Sequence, residues 1–339
     1  MKPSKTPPSN LLFCFIAIEI FSLTLLISSW GFVPHRHLHA KAWSALPVQL
    51  RHALGNDPTP LISRATDADS RKHTDSLESP RHFIDLDDAA TEGLQLWGQS
   101  WADAKRVLIQ RDSSLSSNRY GILPWQLEWS YKHLVNSWSP KDSTEPDLDR
   151  VIRAAADLGH YLSDAHVPLH TSGNYDGQRT GQRGIHALWE THTVEWLLYR
   201  RDLKACGKID ALSMPYDPVW TPWEVIQESH ALVPEILAAE RTWTTLCAKR
   251  GQGFQRRGRT IHLAPTSSSL AIWDSLTNGH TWPRYCIAAQ RIAAAWHSAW
   301  LDAGRPLGQS RSRTTWRQKL ALYLPKRWSN WLLTDPNRP

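Results

Sequence analysis

Apolar residues in this chain recur mainly three and four apart, the period of helices buried on one face. The pattern predicts helices over about 36–54, 92–111, 121–138, 147–167, 184–201, 222–248 and 283–303. Pro234 falls inside the sixth of these and predicts a kink. Aromatic residues fill the apolar positions of 92–111 and 121–138, which marks those stripes as core rather than as a ligand cage. Nothing in the pattern reads as a sheet, and no segment repeats at a fixed interval. The expectation is an all-α chain whose helices build one domain over residues 30–306.

The two flanks differ from that middle. Residues 1–29 carry Lys2 and Lys5, then the apolar run Leu11–Ile27, then Ser28 and Ser29, the layout of a secretory signal peptide. The expected location is therefore secreted or periplasmic. The same run, which contains Glu19, would otherwise serve as an uncleaved anchor. Residues 307–339 form a basic extension with Trp316, Trp328 and Trp331, suited either to peripheral contact with a membrane or to docking on the protein itself.

Composition narrows the picture modestly. The 339 residues are 41% apolar, ordinary for a globular protein, with a net charge of +7. Cleavage after Ser29 removes two lysines and one glutamate, so the charge falls by one and the mature chain stays basic. Such a charge suits polyanionic partners, nucleic acid or anionic lipid, and suits plain solubility equally. The segment 249–259, KRGQGFQRRGR, reads as a solvated loop or as a contact to a phosphate backbone. Cys14 departs with the leader, and Cys206, Cys247 and Cys286 are too few for a disulfide framework; they allow one bridge and one free thiol. Nothing points to a protein partner.

The chemistry concentrates in residues 160–190. His160 and Asp164 are four apart in a predicted helix, so their side chains leave one face a turn apart, which is chelating geometry. Pro168 should end that helix and put His170 on the turn just beyond it. A loop with Gly173, Gly177, Gly181 and Gly184 follows, and then His186 and Glu190, again four apart. Imidazole and carboxylate are good zinc ligands, and catalytic zinc keeps a position open for water. Asp69 and His82 are further candidates upstream, each of them alone an ordinary surface acid or loop histidine, and His35 sits five residues after Trp30.

Taken together, WGFVPHRH from Trp30, the Asp69 region, PRHFID around His82, LGHYLSDAHVPLH and GIHALWE resemble the zinc-dependent phospholipase C and S1/P1 nuclease superfamily, with RIAAAWHSAWLDAGRP similar to its closing helix. The resemblance spans Trp30 to about Pro306. It implies that family's all-helical fold and three Zn2+ ions. The first would be held by Asp69, His82, His160 and Asp164, the second by His170, His186 and Glu190. The third would lie on His35, Asp164 and the free amino group and carbonyl of Trp30. Asp69 would also be catalytic, orienting the attacking water or taking its proton.

The implied activity is hydrolysis of a phosphodiester. The short gap from Trp30 to His35 resembles the nuclease branch, which acts on single-stranded DNA or RNA. Glu190 and the short loop before His186 resemble the phospholipase branch, and the expected substrate is a phospholipid or related diester. A different class of function, a non-catalytic binding protein stabilised by zinc, is set against this by the number of ligands and the shared carboxylate, since structural zinc sites usually close with four ligands each.

Overall fold

The computed structural model describes residues 32–111, 119–139, 146–200, 206–207, 209–211, 214–257 and 260–306. The expected leader at 1–29, Trp30 and the 307–339 extension lie outside the described residues. The described residues are mostly helical, with one two-stranded sheet.

The organising element is a helix over Leu148–Ala165, the eighth α-helix among the described residues (α8). Asp147 caps it by accepting from the N–H groups of Asp149 and Arg150. Its residues from Ala154 onward are buried almost all round, because other helices cover it on every side. These are α1 (Phe32–Ser44), α3 (Thr59–Ser63), α4 (Asp67–Arg71), α7 (Leu123–Trp138), α10 (Trp220–His230) and α13 (Thr281–Asp302). Gly159 permits the tightest of these contacts. A Cβ there would lie 2.7 Å from His39 Nε2 and 3.0 Å from the Trp296 ring. Instead His39 Nε2 lies 3.1 Å from the α8 carbonyl of Ala156, and Trp296 Nε1 donates to that of Ala155 at 2.8 Å, fixing α1 and α13 against it.

Two turns beside α8 are locked by backbone pairing. The 3-10 turn Ser79–His82 is followed by Ile84, which bridges Gly121, and Ile84 N–H donates to His170 O at 2.9 Å. Gly121 sits at φ +80°, and a Cβ there would stand 2.1 Å from Phe83 O, so only glycine fits this approach. The second turn, Pro168–Thr171, follows the end of α8 as the proline predicts.

Several predicted elements come out differently. The 36–54 helix is two, α1 and α2 (Val48–Ala53), parted at Pro47. Within 92–111 only Trp101–Arg111 (α6) is helical; Gly93 and Gly98 take positive φ and hold the preceding stretch in turns. α5 (Leu86–Thr91) is short. The 222–248 run is α10 and α11 (Val233–Lys249), so Pro234 opens a helix instead of kinking one. The basic stretch near 249–259 enters a hairpin, β1 (Gly253–Arg257) antiparallel to β2 (Thr260–Ala264), with Phe254 opposite Leu263. Phe254 packs on Trp243, beside α12 (Ser267–Leu276), in a second, smaller core around Ile185, Trp189 and Trp273. Cys206 and Cys286 are bridged and Cys247 is a buried free thiol, the arrangement the cysteine count allows.

Candidate metal centre

Six elements aim polar side chains at one volume. α1 supplies His35, α4 supplies Asp69 and the Ser79–His82 turn supplies His82. α8 supplies His160 and Asp164, and the Pro168–Thr171 turn supplies His170. His186 and Glu190 come from α9, which runs as Ile185–Ala187, a π-helical turn Leu188–Thr193 and Val194–Arg200. A π turn inside a helix is often found at functional sites, and here it contains Glu190.

Both four-residue spacings close as expected: His160 Nε2 lies 3.3 Å from Asp164 Oδ2, and His186 Nε2 lies 2.6 Å from Glu190 Oε2. His82 Nδ1 reaches Asp164 Oδ2 at 2.8 Å, and His170 Nε2 is 3.5 Å from Glu190 Oε2. Asp69 Oδ1 stands 3.6 Å from His160 Nε2 and 3.8 Å from His82 Nδ1. His35 Nε2 is 3.5 Å from Asp164 Oδ1 and 3.8 Å from Glu190 Oε1. Four overlapping groups result, each with ligand atoms within 4.8 Å of one another: His35, Asp69 and His160; His82, His160 and Asp164; His170, His186 and Glu190; His35, Asp164 and Glu190. Eight of the nine sequence-level candidates are thus brought together, and the ninth, Trp30, lies outside the described residues. The sharing is wider than the resemblance implies, because Glu190 as well as Asp164 belongs to two groups.

The donor set fits a divalent metal. Three of the imidazoles that line the volume keep one nitrogen for it, because the other is turned elsewhere. His160 Nδ1 donates to Ala65 O at 2.8 Å and His170 Nδ1 to His82 O at 2.5 Å. His35 Nδ1 meets Ser163 Oγ at 2.8 Å; the Ser163 hydroxyl is directed at the Gly159 and His160 carbonyls, so its oxygen accepts. Neutral imidazole lone pairs and ionised carboxylates facing one space are what zinc and similar ions take.

Electrostatics keep the acids charged. Burial pushes the Asp164 carboxyl up, but His160 and His170 more than reverse that and hold it well below the usual range. Glu190 is held low in the same way by hydrogen bonds from His170 and His186. Burial pushes His160 down, yet Asp164 and Asp69 raise it to about 9; His170, against Asp164 and Glu190, also rises to about 9. His35 falls to about 4, first through burial and then through the neighbouring His160.

Two neighbours were not legible as site residues. Lys72 Nζ lies 2.8 Å from Asp69 Oδ1 at the more open edge of the cluster, where Asp69 is 22% exposed against 2% for Asp164. Glu78, fully buried, sits behind His82. Each follows a helical spacing from a candidate ligand, three after Asp69 and four before His82, but such spacings are common in a charged stretch. Several His, Asp and Glu groups of this centre can therefore hold metal ions. No family model matches the chain, and no curated protein matches it.

Proposed function

We propose that this chain is an exported zinc-dependent phosphodiester hydrolase of the phospholipase C and S1/P1 nuclease type, working with three zinc ions. The observation that supports this most is the overlap of the ligand groups. Asp164 and Glu190 each serve two of them, which is the arrangement of a multinuclear centre and not of separate structural sites. The mostly helical architecture agrees with that family's fold.

Zinc, when bound, supplies positive charge to the phosphate oxygens and acidifies water. His82, His160 and Asp164 would hold one ion with Asp69 beside them, and His170, His186 and Glu190 a second. The third would lie with His35 and Asp164, completed by the Trp30 amino group once the leader is removed after Ser29. Asp69 is the carboxylate at the accessible edge, placed to orient the attacking water and take its proton. Lys72 carries a cation at that edge; burial lowers its pKa, but Asp69 and Asp164 raise it further, so it stays charged and attracts the anionic diester.

The substrate we favour is a phospholipid or a related diester. A second reading, cleavage of single-stranded nucleic acid, has one observation in its support. Tyr175, 53% exposed, stands edge-on to His186 with ring centroids 6.2 Å apart, and offers a base an aromatic face beside the centre. The zinc-loaded protein beginning at Trp30 should release nitrophenol from bis(p-nitrophenyl) phosphate at some pH between about 5 and 9. No release anywhere in that range would favour a zinc-stabilised binding protein. Parallel assays on phosphatidylcholine vesicles, single-stranded DNA and RNA then choose the substrate, and nucleic-acid cleavage without lipid turnover would reverse the preference.

A further inference from the structure

The cluster histidines differ in what stands behind them. His160 and His170 rest on backbone carbonyls and His35 on a serine hydroxyl. His82 alone among these four is backed by a carboxylate: its Nδ1 faces the cluster, and its Nε2, which makes no hydrogen bond, stands 3.4 Å from Glu78 Oε1. Glu78 is completely buried and tightly held. It accepts from Arg71 Nε at 3.1 Å, from Arg81 Nη1 at 2.6 Å and from the Tyr161 hydroxyl. Arg71 also reaches Asp157 at 3.1 Å.

These partners come from the elements that bear ligands. Arg71 shares α4 with Asp69, Arg81 shares the 3-10 turn with His82, and Tyr161 and Asp157 share α8 with His160 and Asp164. Two arginines and a tyrosine, all donors, fix the carboxylate so that an acceptor is what His82 meets on its outer side. An acceptor there requires the proton on Nε2 and leaves the Nδ1 lone pair for the cluster, and a charged acceptor makes that lone pair a better donor than a carbonyl does.

We propose that Glu78 is a positioning residue of the metal centre, selecting the tautomer of His82 and strengthening its hold on the ion it shares with His160 and Asp164. The inference rests on reading the cluster as a metal centre and not on what that centre hydrolyses. Its test is a thermodynamic cycle on zinc affinity, measured on the purified protein by competition with a chromophoric chelator. Glu78→Gln should weaken one ion by roughly 10–100-fold and leave the rest unchanged. The same substitution in a His82→Ala background should have no further effect. A purely structural brace would act equally in both backgrounds, and that result, or unchanged affinity in Glu78→Gln, would overturn the proposal. Should Glu78→Gln fail to fold, Glu78→Asp, which keeps the charge but draws it back from His82, must show the same coupling. Wild-type protein that takes up no zinc would sink both this inference and the metal reading; zinc uptake with the expected coupling but no diester turnover would sink the hydrolase reading alone.

Discussion

Asp164→Asn removes the carboxylate on which most of the centre converges, and its consequences differ between the metal-free and loaded states. In the metal-free chain Asp164 opposes the burial of His160 and, with Asp69, raises that imidazole from 6.5 to about 9. At about 1.36 kcal/mol per unit that net rise corresponds to on the order of 3 kcal/mol, and because it is what remains after burial has lowered the pKa, the pull of Asp164 and Asp69 together exceeds it. Removing one partner of a buried pair costs roughly 3–5 kcal/mol. The metal-free variant should thus melt roughly 5 °C lower for a chain of this size. In the loaded state the loss is larger, because Asp164 belongs to two ligand groups and a neutral amide is a poor ligand for either. Zinc content should fall below that of Asp69→Asn, and turnover of bis(p-nitrophenyl) phosphate should fall by more than the roughly 10–100-fold expected for an outer partner. The assay is metal analysis by mass spectrometry beside turnover, with Asp69→Asn and Glu190→Gln in parallel and circular dichroism to confirm helical content. Wild-type zinc content with near-normal turnover would reduce Asp164 to a buried acid beside His160, and Asp69→Asn proving the worse variant would show that the shared carboxylate is not the hub.

pH acts on the two states in opposite directions. His160 and His170 titrate near 9 when folded against 6.5 unfolded, so their contribution to the metal-free protein is fully present below pH 6.5 and is lost as pH rises through about 9. Zinc must displace those protons, so the rise in Tm on adding zinc should grow over the same window; an equal rise at both ends would refute the assignment of these imidazoles as ligands. Lys72→Met should leave zinc content unchanged while reducing kcat/KM for an anionic diester roughly tenfold or more, the scale of a hydrogen bond to a charged group. A neutral phosphotriester should be barely affected, and equal losses on both substrates would remove Lys72 from substrate binding.

Legibility followed the range of the interaction. His160 with Asp164 and His186 with Glu190 were readable because helix geometry converts a spacing of four into a contact, and Pro168 was readable because its restriction on the preceding residue is local. Asp69 and His82 carried no such signal. His82 is placed by the Ile84–His170 and Ile84–Gly121 backbone pairing and Asp69 by the packing of α4 on α8, both tertiary facts, and the two residues entered the sequence reading mainly through the family resemblance. The hairpin at 253–264 escaped because the alternation of Ile261 and Leu263 is short and the basic residues around Phe254 suggest solvent. The failed helix at 92–100 has the converse cause: its aromatic spacing is helical, but Gly93 and Gly98 hold left-handed turns.

The burial of α8 explains why these particular spacings amount to a site. An HxxxD pair on an exposed helix is a solvated ion pair worth little. On α8 the same pair is almost wholly out of water, and a buried carboxylate is tolerated only where cations or donors surround it. Asp164 meets that requirement chiefly through His160 and His170, the imidazoles raised to about 9, which arrive from α8 itself and from the turn just beyond it. Glu190 meets it through His170 and His186. His35 keeps an Nε2 lone pair within 3.8 Å of both carboxylates, so as a ligand it would link the two sides of the cluster. Replacing His35 with alanine should consequently weaken metal binding on both sides of the cluster, where loss of His186, which approaches Glu190 alone of the two acids, should weaken only one.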